Sequence, residues 1–482
     1  MNFRAVFHLV SFLPIVLGLC MLLCWAIGTF SGDSWVARWG FAVSAAIALI
    51  IGITLWTFTR GPVDLNRRDG VGIVTFGWLL STLIGAIPFV LSGTIPDLVG
   101  AWFESVSGFT TTGATILTNL EAAPRAILLW RALTHFLGGM GILVLCVAIL
   151  PLLGSGGMQI YRAEAAGPSK DRLTPRIANT AKLLWGVYVG MALVLTLLLA
   201  LLGVSWFDAV CHSFATVATG GFSTYTASIA AFKNPAIEWV LAFFMFLAGI
   251  NFALHWRVFR GDAGAWFRDP EWRLYVLVIL SAVVLIALNA PKAHYENLHA
   301  GIRGICFTVI SILTTTGFST DDYVFWPALS QYVLLILMFL GGCAGSTAGG
   351  IKMVRVLVLL KQVAREMKLF IQPQAIYHVK IGRQMIESEI VSMIGAFFII
   401  FILIFAGASA AMMPFVPDLK TAISAVVAAL GNVGPGLGQV GPAGNYEFVP
   451  TGGKLILTLC MLLGRLELYT MLVVLFPSFW RR

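Results

Sequence analysis

The chain has 482 residues, 59% of them hydrophobic and only 11% charged, with a mean hydropathy of +0.90 and a formal net charge of +9. A water-soluble domain carries about a quarter of its residues as charged groups, so this composition excludes one and points to a polytopic membrane protein. The basic balance is spread over short loops between apolar runs and is not gathered into a patch, which argues against a nucleic-acid partner.

In chain order, ten apolar runs approach or exceed the about 20 residues needed to cross a bilayer. They are 8–30, 36–58, 71–93, 125–152, 178–204, 235–259, 271–290, 327–360 (interrupted), 385–412 and 451–478. The first follows Arg4 and His8 in the manner of a signal peptide. It is longer than a signal's apolar core, and no small-residue cleavage site follows, so it reads as a retained span. Ten spans put both termini on one side. The loops there carry Arg60, Arg67, Arg68 and the stretches 162–182, 257–273 and 352–383; with Arg4, Arg481 and Arg482 they hold most of the lysines and arginines. The positive-inside rule therefore predicts both termini in the cytoplasm. The cysteines (Cys20, Cys24, Cys146, Cys211, Cys306, Cys343 and Cys460) mostly lie in apolar segments without a CxxC pair, so neither a disulfide nor a metal centre is expected.

An internal repeat is the strongest signal. Four segments share one order: a span, a stretch too short to cross, a Thr/Gly-rich turn, and another span. The short stretches are 100–110, 207–217, 299–313 and 419–430, and segments of this length read as re-entrant. The turns are Phe-Thr-Thr-Thr-Gly-Ala-Thr at 109–115, Val-Ala-Thr-Gly-Gly-Phe-Ser-Thr at 217–224, Leu-Thr-Thr-Thr-Gly-Phe-Ser-Thr at 313–320 and Gly-Asn-Val-Gly-Pro-Gly-Leu-Gly at 431–438. Shared residues align Gly113, Gly221 and Gly317; the weaker fourth copy aligns Gly434 by context. The expected fold is all-α: four pseudo-symmetric helix–re-entrant pore loop–helix repeats of potassium-channel type, plus an N-terminal two-helix hairpin. The predicted units are 1–60 for the hairpin, then 61–160, 161–265, 266–370 (second helix interrupted) and 371–482.

Irregular backbone at membrane depth is tolerated only when buried in protein or lining water. Four such turns around one axis would make a short hydrated pore. Successive backbone carbonyls replace the hydration shell of a dehydrated monovalent cation, and glycine adopts the backbone angles this needs. Short helices aim their C-terminal dipole ends at the same place. The predicted ion-binding residues are Thr111, Thr112, Gly113, Thr219, Gly220, Gly221, Thr315, Thr316, Gly317, Asn432, Val433 and Gly434. No carboxylate falls among them, which argues against Mg²⁺ or Ca²⁺.

These turns resemble those of the Trk/Ktr/HKT superfamily. So do Gly-Gly-Cys-Ala-Gly-Ser-Thr-Ala-Gly-Gly-Ile-Lys at 341–352 and Leu-Leu-Gly-Arg-Leu-Glu-Leu-Tyr-Thr at 462–470. The similarity covers essentially the whole chain, and the extra hairpin at 8–58 is typical of the bacterial Trk branch. The resemblance implies potassium uptake, with Rb⁺ as a surrogate ion, across a bacterial inner membrane. It implies a homodimer with one pore per protomer and a cytosolic nucleotide-binding regulatory subunit of the TrkA type. It implies no cofactor and no enzyme activity. Gly113 stands where sodium-transporting plant relatives have serine, which favours K⁺. The second turn departs from three threonines at Ala218, and the fourth departs more, leaving Asn432 and Val433 least secure.

The small residues of 341–350 read as a broken helix, and broken segments in transporters mark the path. The resemblance makes this stretch, with Gly345, Ser346, Thr347 and Gly349, an intramembrane gate, and puts Arg465 beneath the filter beside it. A pair between Arg465 and Glu467 is not expected, because i and i+2 do not share a helix face. Asp97, Glu104, Glu121, Asp208, Asp321, Asp322, Asp418 and Glu447 are assigned to outer loops, mostly as solvated surface, and some as concentrators of cations at the mouth. His135 and Arg131 read as packing or interfacial residues. The basic run from Met353 to Phe370 suits either anionic lipid or a docking partner. Two rivals are weaker: a secondary transporter would show two inverted halves, and a metalloprotease would need His-Glu-x-x-His, whereas the nearest pair is His294 with His299.

Overall fold

The computed structural model describes residues 1–61, 65–141, 177–289, 298–382 and 384–480. Residues 142–152 of the expected span 125–152, most of the basic stretch 162–182, the predicted boundary at 160/161, His294, Arg481 and Arg482 lie outside these residues.

The N-terminal hairpin is α1 (Phe3–Val10) and α2 (Phe12–Phe30) against α3 (Trp35–Phe58). Small residues let the helices approach: a Cβ on Gly18 would meet Leu49, and one on Gly52 would meet Ile15. The first unit is α4 (Arg67–Leu91), the short α5 (Leu98–Phe109) and α6 (Arg125–Gly139). The second is α7 (Ile177–Leu201), α8 (Trp206–Val217) and α9 (Pro235–Ala248) continuing into α10 (Phe252–Phe259). The third is α11 (Pro270–Asn289), α12 (Leu298–Leu313) and α13 (Ala328–Phe339), then after a break α14 (Met353–Ile371). The fourth is α15 (Ser388–Met412), α16 (Leu419–Leu430), α17 (Thr451–Arg465) and α18 (Leu468–Leu475). The fold is thus four pseudo-symmetric helical units behind a hairpin, as expected. The described strands are two short ones, pairing Lys380–Ile381 with Gln384–Met385.

The short helices form where their sequences place caps. Asp97 accepts from Gly100 N, Ser205 from Asp208 N and Asp418 from Thr421 N, each satisfying a donor of the first turn. Their faces are buried nearly all round, from Gly100 to Phe109 in α5 and from Thr421 to Leu430 in α16, so they lie inside protein and not against lipid. The outer helices behave oppositely: Leu19, Leu23, Trp39, Leu193, Leu197 and Leu403 remain exposed, an apolar surface suited to acyl chains.

The spans need one correction. Among the described residues six helices are long and apolar enough to cross a membrane, and eight if each of two bent pairs counts as one. The runs 235–259 and 451–478, expected to be continuous, bend by 101° and 115°. The reason is steric, and the second helices of the first, second and fourth units share it. A Cβ on Gly138 would strike the Phe109 carbonyl, one on Gly249 would meet Thr314 and Tyr275, and one on Gly464 would strike the Leu430 carbonyl. Each of these three helices presses its glycine onto the end of a short helix and ends within one residue of it. Glu467, with φ of +55°, supplies the turn in the fourth unit.

Candidate ion pathway

Each short helix ends in the same motif. The residue at the turn's base adopts left-handed φ: Thr111 at 53°, Thr219 at 53°, Thr315 at 57° and Asn432 at 54°. Its amide donates to the carbonyl three residues back (Gly108, Thr216, Ile312 and Ala429, at 3.0, 3.0, 3.0 and 3.2 Å). The next amide donates five back, from Thr112 to Ser107, Gly220 to Ala215, Thr316 to Ser311 and Val433 to Ala428, at 2.8–2.9 Å. This is the Schellman closure of a helix, with threonine where glycine is usual. Asparagine tolerates left-handed φ best among ordinary residues, so Asn432 fits the fourth turn better than its departure from Thr suggests.

Two residues on, φ is again positive, at Gly113 (81°), Gly221 (80°), Gly317 (77°) and Gly434 (99°). These glycines close a ring. A Cβ on Gly113 would strike the carbonyl oxygen of Gly220, one on Gly221 that of Thr316, one on Gly317 that of Val433 and one on Gly434 that of Thr112. The turns therefore meet edge to edge in the order one, two, three, four, one, with no room for a side chain at any joint. All twelve residues singled out in the turns come together here, and the alignment of the fourth turn on Gly434 is reproduced. Around the base, Thr110 and Thr112 share a hydroxyl hydrogen bond (2.7 Å), as do Thr314 and Thr316 (2.8 Å), and Asn432 Nδ2 donates to Thr112 Oγ1 (3.0 Å). Thr111 Oγ1 and Asn432 Oδ1 are buried oxygens without a hydrogen-bond partner in the protein.

Below the ring, segment 341–350 is fixed to the second and third units. Gly349 N donates to Thr315 Oγ1 (2.7 Å), Thr347 Oγ1 donates to the Val217 and Ala248 carbonyls (3.0 and 3.3 Å), and the Gly345 carbonyl accepts from Phe252 N (3.0 Å). Ser346 only closes a local turn onto Cys343 O. Arg465 ends α17 at the bend, not inside a continuous span. It donates to Thr347 O (2.9 Å) and to the Gly138 and Gly139 carbonyls (2.7 Å each). A mid-membrane arginine is costly; three carbonyls exposed by two helix breaks offset that cost here. Glu467, in the bend itself, pairs with Arg355 at 2.5 Å.

Sequence reasoning missed Glu271. Its Oε1 accepts from Ala344 N (2.7 Å) and Val354 N (2.8 Å), so one buried carboxylate holds both ends of the 341–350 segment. The only signal was an acid in the first turn of an apolar span. It misplaced Glu104 as well. That residue is 0% exposed on α5 and pairs with Arg131 on α6, because α5 is enclosed by protein nearly all round from Gly100 onward. Six of the other seven outer acids are engaged locally: Asp97 and Asp418 as caps, Glu121 with Thr226, Asp208 with Thr224 and Tyr225, Asp321 with Trp326, and Asp322 with Val324 N.

With this geometry established, the comparisons are specific. Residues 40–481 match the TrkH family, described as cation transport proteins. The chain belongs to that family. It is 41% identical to the Trk system potassium uptake protein TrkH of Salmonella typhimurium and to that of Escherichia coli K12, over 100% of each chain. It superposes on the crystal structure of the potassium transporter TrkH from Vibrio parahaemolyticus with a TM-score of 0.89 and 36% identity, covering 100% of both chains. Membership makes it a membrane transport protein and not an enzyme, and the full-length matches include the part of the hairpin that precedes residue 40.

Proposed function

We propose that the chain takes up potassium through the ring of four turns, gated by segment 341–350 with Arg465. The observation that carries the reading is the closed glycine ring, in which four short helices end on one axis without a carboxylate. Backbone oxygens then replace water around a dehydrated K⁺ or Rb⁺, and the unpartnered Thr111 Oγ1 and Asn432 Oδ1 add acceptors at its base. The potassium-uptake relatives support the choice of ion. The wider reading is an inner-membrane homodimer with a pore in each protomer, cytoplasmic termini and a cytosolic nucleotide-binding regulator. It rests on family membership, the loop charges, and the basic face of α14 with Lys361, Arg365 and Lys368.

The test is cation flux into proteoliposomes holding the purified chain. Wild type is expected to pass K⁺ and Rb⁺ and to exclude Na⁺. Gly113→Ser is expected to cut that preference about tenfold, an energy difference of only about 1.4 kcal/mol, because its Cβ meets one carbonyl of a neighbouring turn. A wild type that passes none of these ions, even with the regulator added, sinks the reading. The gate has its own test. Glu271→Ala leaves two buried amides without an acceptor, at about 1–3 kcal/mol each. Resting K⁺ flux is expected to rise about tenfold with the K⁺/Na⁺ ratio unchanged; an unaltered resting flux counts against the latch.

A further inference from the structure

The Arg131–Glu104 pair lies off the pathway, yet it is among the most completely buried polar groups of the molecule, with side-chain exposures of 2% and 0% and Nε to Oε1 at 2.9 Å. Taking two charges out of water costs several kcal/mol per ion even after relaxation, and ionisable groups at membrane depth are functional candidates by default. What the pair touches says which function. Glu104 Oε2 accepts from Ile116 N (3.0 Å), and Oε1 accepts from Thr115 Oγ1 (2.9 Å). Arg131 Nη2 donates to Thr115 Oγ1 (3.2 Å), and Nη1 donates to the Ser223 carbonyl (3.0 Å). The guanidinium lies 3.9 Å over the ring of Phe222, and His135, one helical turn on, stacks on the same ring at 4.1 Å.

Every one of these contacts falls on the outer leg of a turn, two or three residues after Gly113 or one or two after Gly221. One ion pair thereby spans the joint between the first and second turns. Other joints are held differently: turn two meets turn three through Ile229 N and Ala230 N on the Ser319 carbonyl, and turn four meets turn one through Tyr446 N on the Thr115 carbonyl. Those are neutral hydrogen bonds. A charged fork in a dry interior is stronger and geometrically more exacting.

We infer that Arg131 and Glu104 are positioning residues that hold the first and second turns apart at the spacing a K⁺ ion needs, and so set the discrimination against Na⁺. The inference rests on the proposed filter. A ring free to contract can close its oxygens on the smaller ion, and a ring propped by a rigid pair cannot.

The experiment measures Rb⁺ and Na⁺ flux in proteoliposomes of the full chain for wild type, Glu104→Gln, Arg131→Lys and Phe222→Leu. Glu238→Gln serves as the control. It breaks another Arg–Glu pair, with Arg303 at 2.7 Å, which bridges α9 and α12 away from the ring. Glu104→Gln keeps the shape and loses the charge, and Arg131→Lys keeps the charge and loses the fork. Each is expected to lower the Rb⁺/Na⁺ ratio about tenfold while Glu238→Gln leaves it near wild type. The inference is overturned if both pair variants keep the wild-type ratio, or if Glu238→Gln erodes it equally. Should neither pair variant fold, Phe222→Leu decides, because it removes the ring beneath Arg131 and leaves the pair charged; an unaltered ratio there overturns the inference. A wild type without flux instead sinks the filter itself, so the two failures are distinguishable.

Discussion

Gly317→Ala is expected to abolish K⁺ uptake while leaving the protein folded and in the membrane. The added methyl faces two obstacles: the Val433 carbonyl on one side and the rigid ring of Pro435 on the other. At Gly113 the nearest obstacle is one carbonyl, and the next atoms lie 3.3 Å away or more. A side chain at φ of +77° adds about 1–3 kcal/mol of backbone strain, and overpacking adds about 1–3 kcal/mol. Together these come to about 2–6 kcal/mol, against the roughly 2.7 kcal/mol that corresponds to a hundredfold change, so the third turn is expected to leave the ring rather than bear the strain. The check is Rb⁺ flux beside the melting temperature in detergent. Flux within threefold of wild type, in a variant that melts normally, would show that the ring does not carry the ions.

Arg465→Ala is expected to raise resting K⁺ flux by at least tenfold. Hydrogen bonds to charged groups contribute about 1.5–3 kcal/mol each. The guanidinium makes three, two to the break in the first unit and one to Thr347 of the proposed gate. Losing the net stabilisation of one already shifts a closed–open equilibrium about tenfold. The charge acts in the same direction: a cation passing 4 Å away is repelled by about 4 kcal/mol at the effective dielectric of a protein surface. Arg465→Lys separates the two effects, since it keeps the charge and loses the forked donors. Flux is compared without any regulator present. If Arg465→Ala behaves as wild type, neither the tether nor the charge holds the pathway shut.

The same contacts explain what could be read from the sequence. The short helices were legible to within two residues, because the signals are local: an acid or serine at the start of three of them, an apolar body, and a Gly-containing turn at the end. The register of the fourth turn was harder, since Asn-Val-Gly shares little with Thr-Thr-Gly. The structure gives the reason it works, which is that asparagine tolerates the left-handed φ demanded at the base. The broken third unit announced itself through clustered glycines. The bends after Ala248 and Arg465 did not, because no proline or glycine cluster marks them; they arise from Gly249 and Gly464 meeting the ends of α12 and α16. Glu104 misled for a related reason. A carboxylate between a turn and a span looks like surface until its helix is seen to be enclosed, and its partner Arg131 stands on the following helix.

The ring also differs from one built of identical subunits in how it responds to inheritance. Here four unlike segments of a single gene product meet at four unlike joints, bounded by Gly113, Gly221, Gly317 and Gly434. One codon change dents one quadrant and leaves three intact, whereas in a homotetramer it would strike all four at once. Ion preference in such an architecture is open to adjustment in small steps, joint by joint, and each joint has been free to acquire its own chemistry.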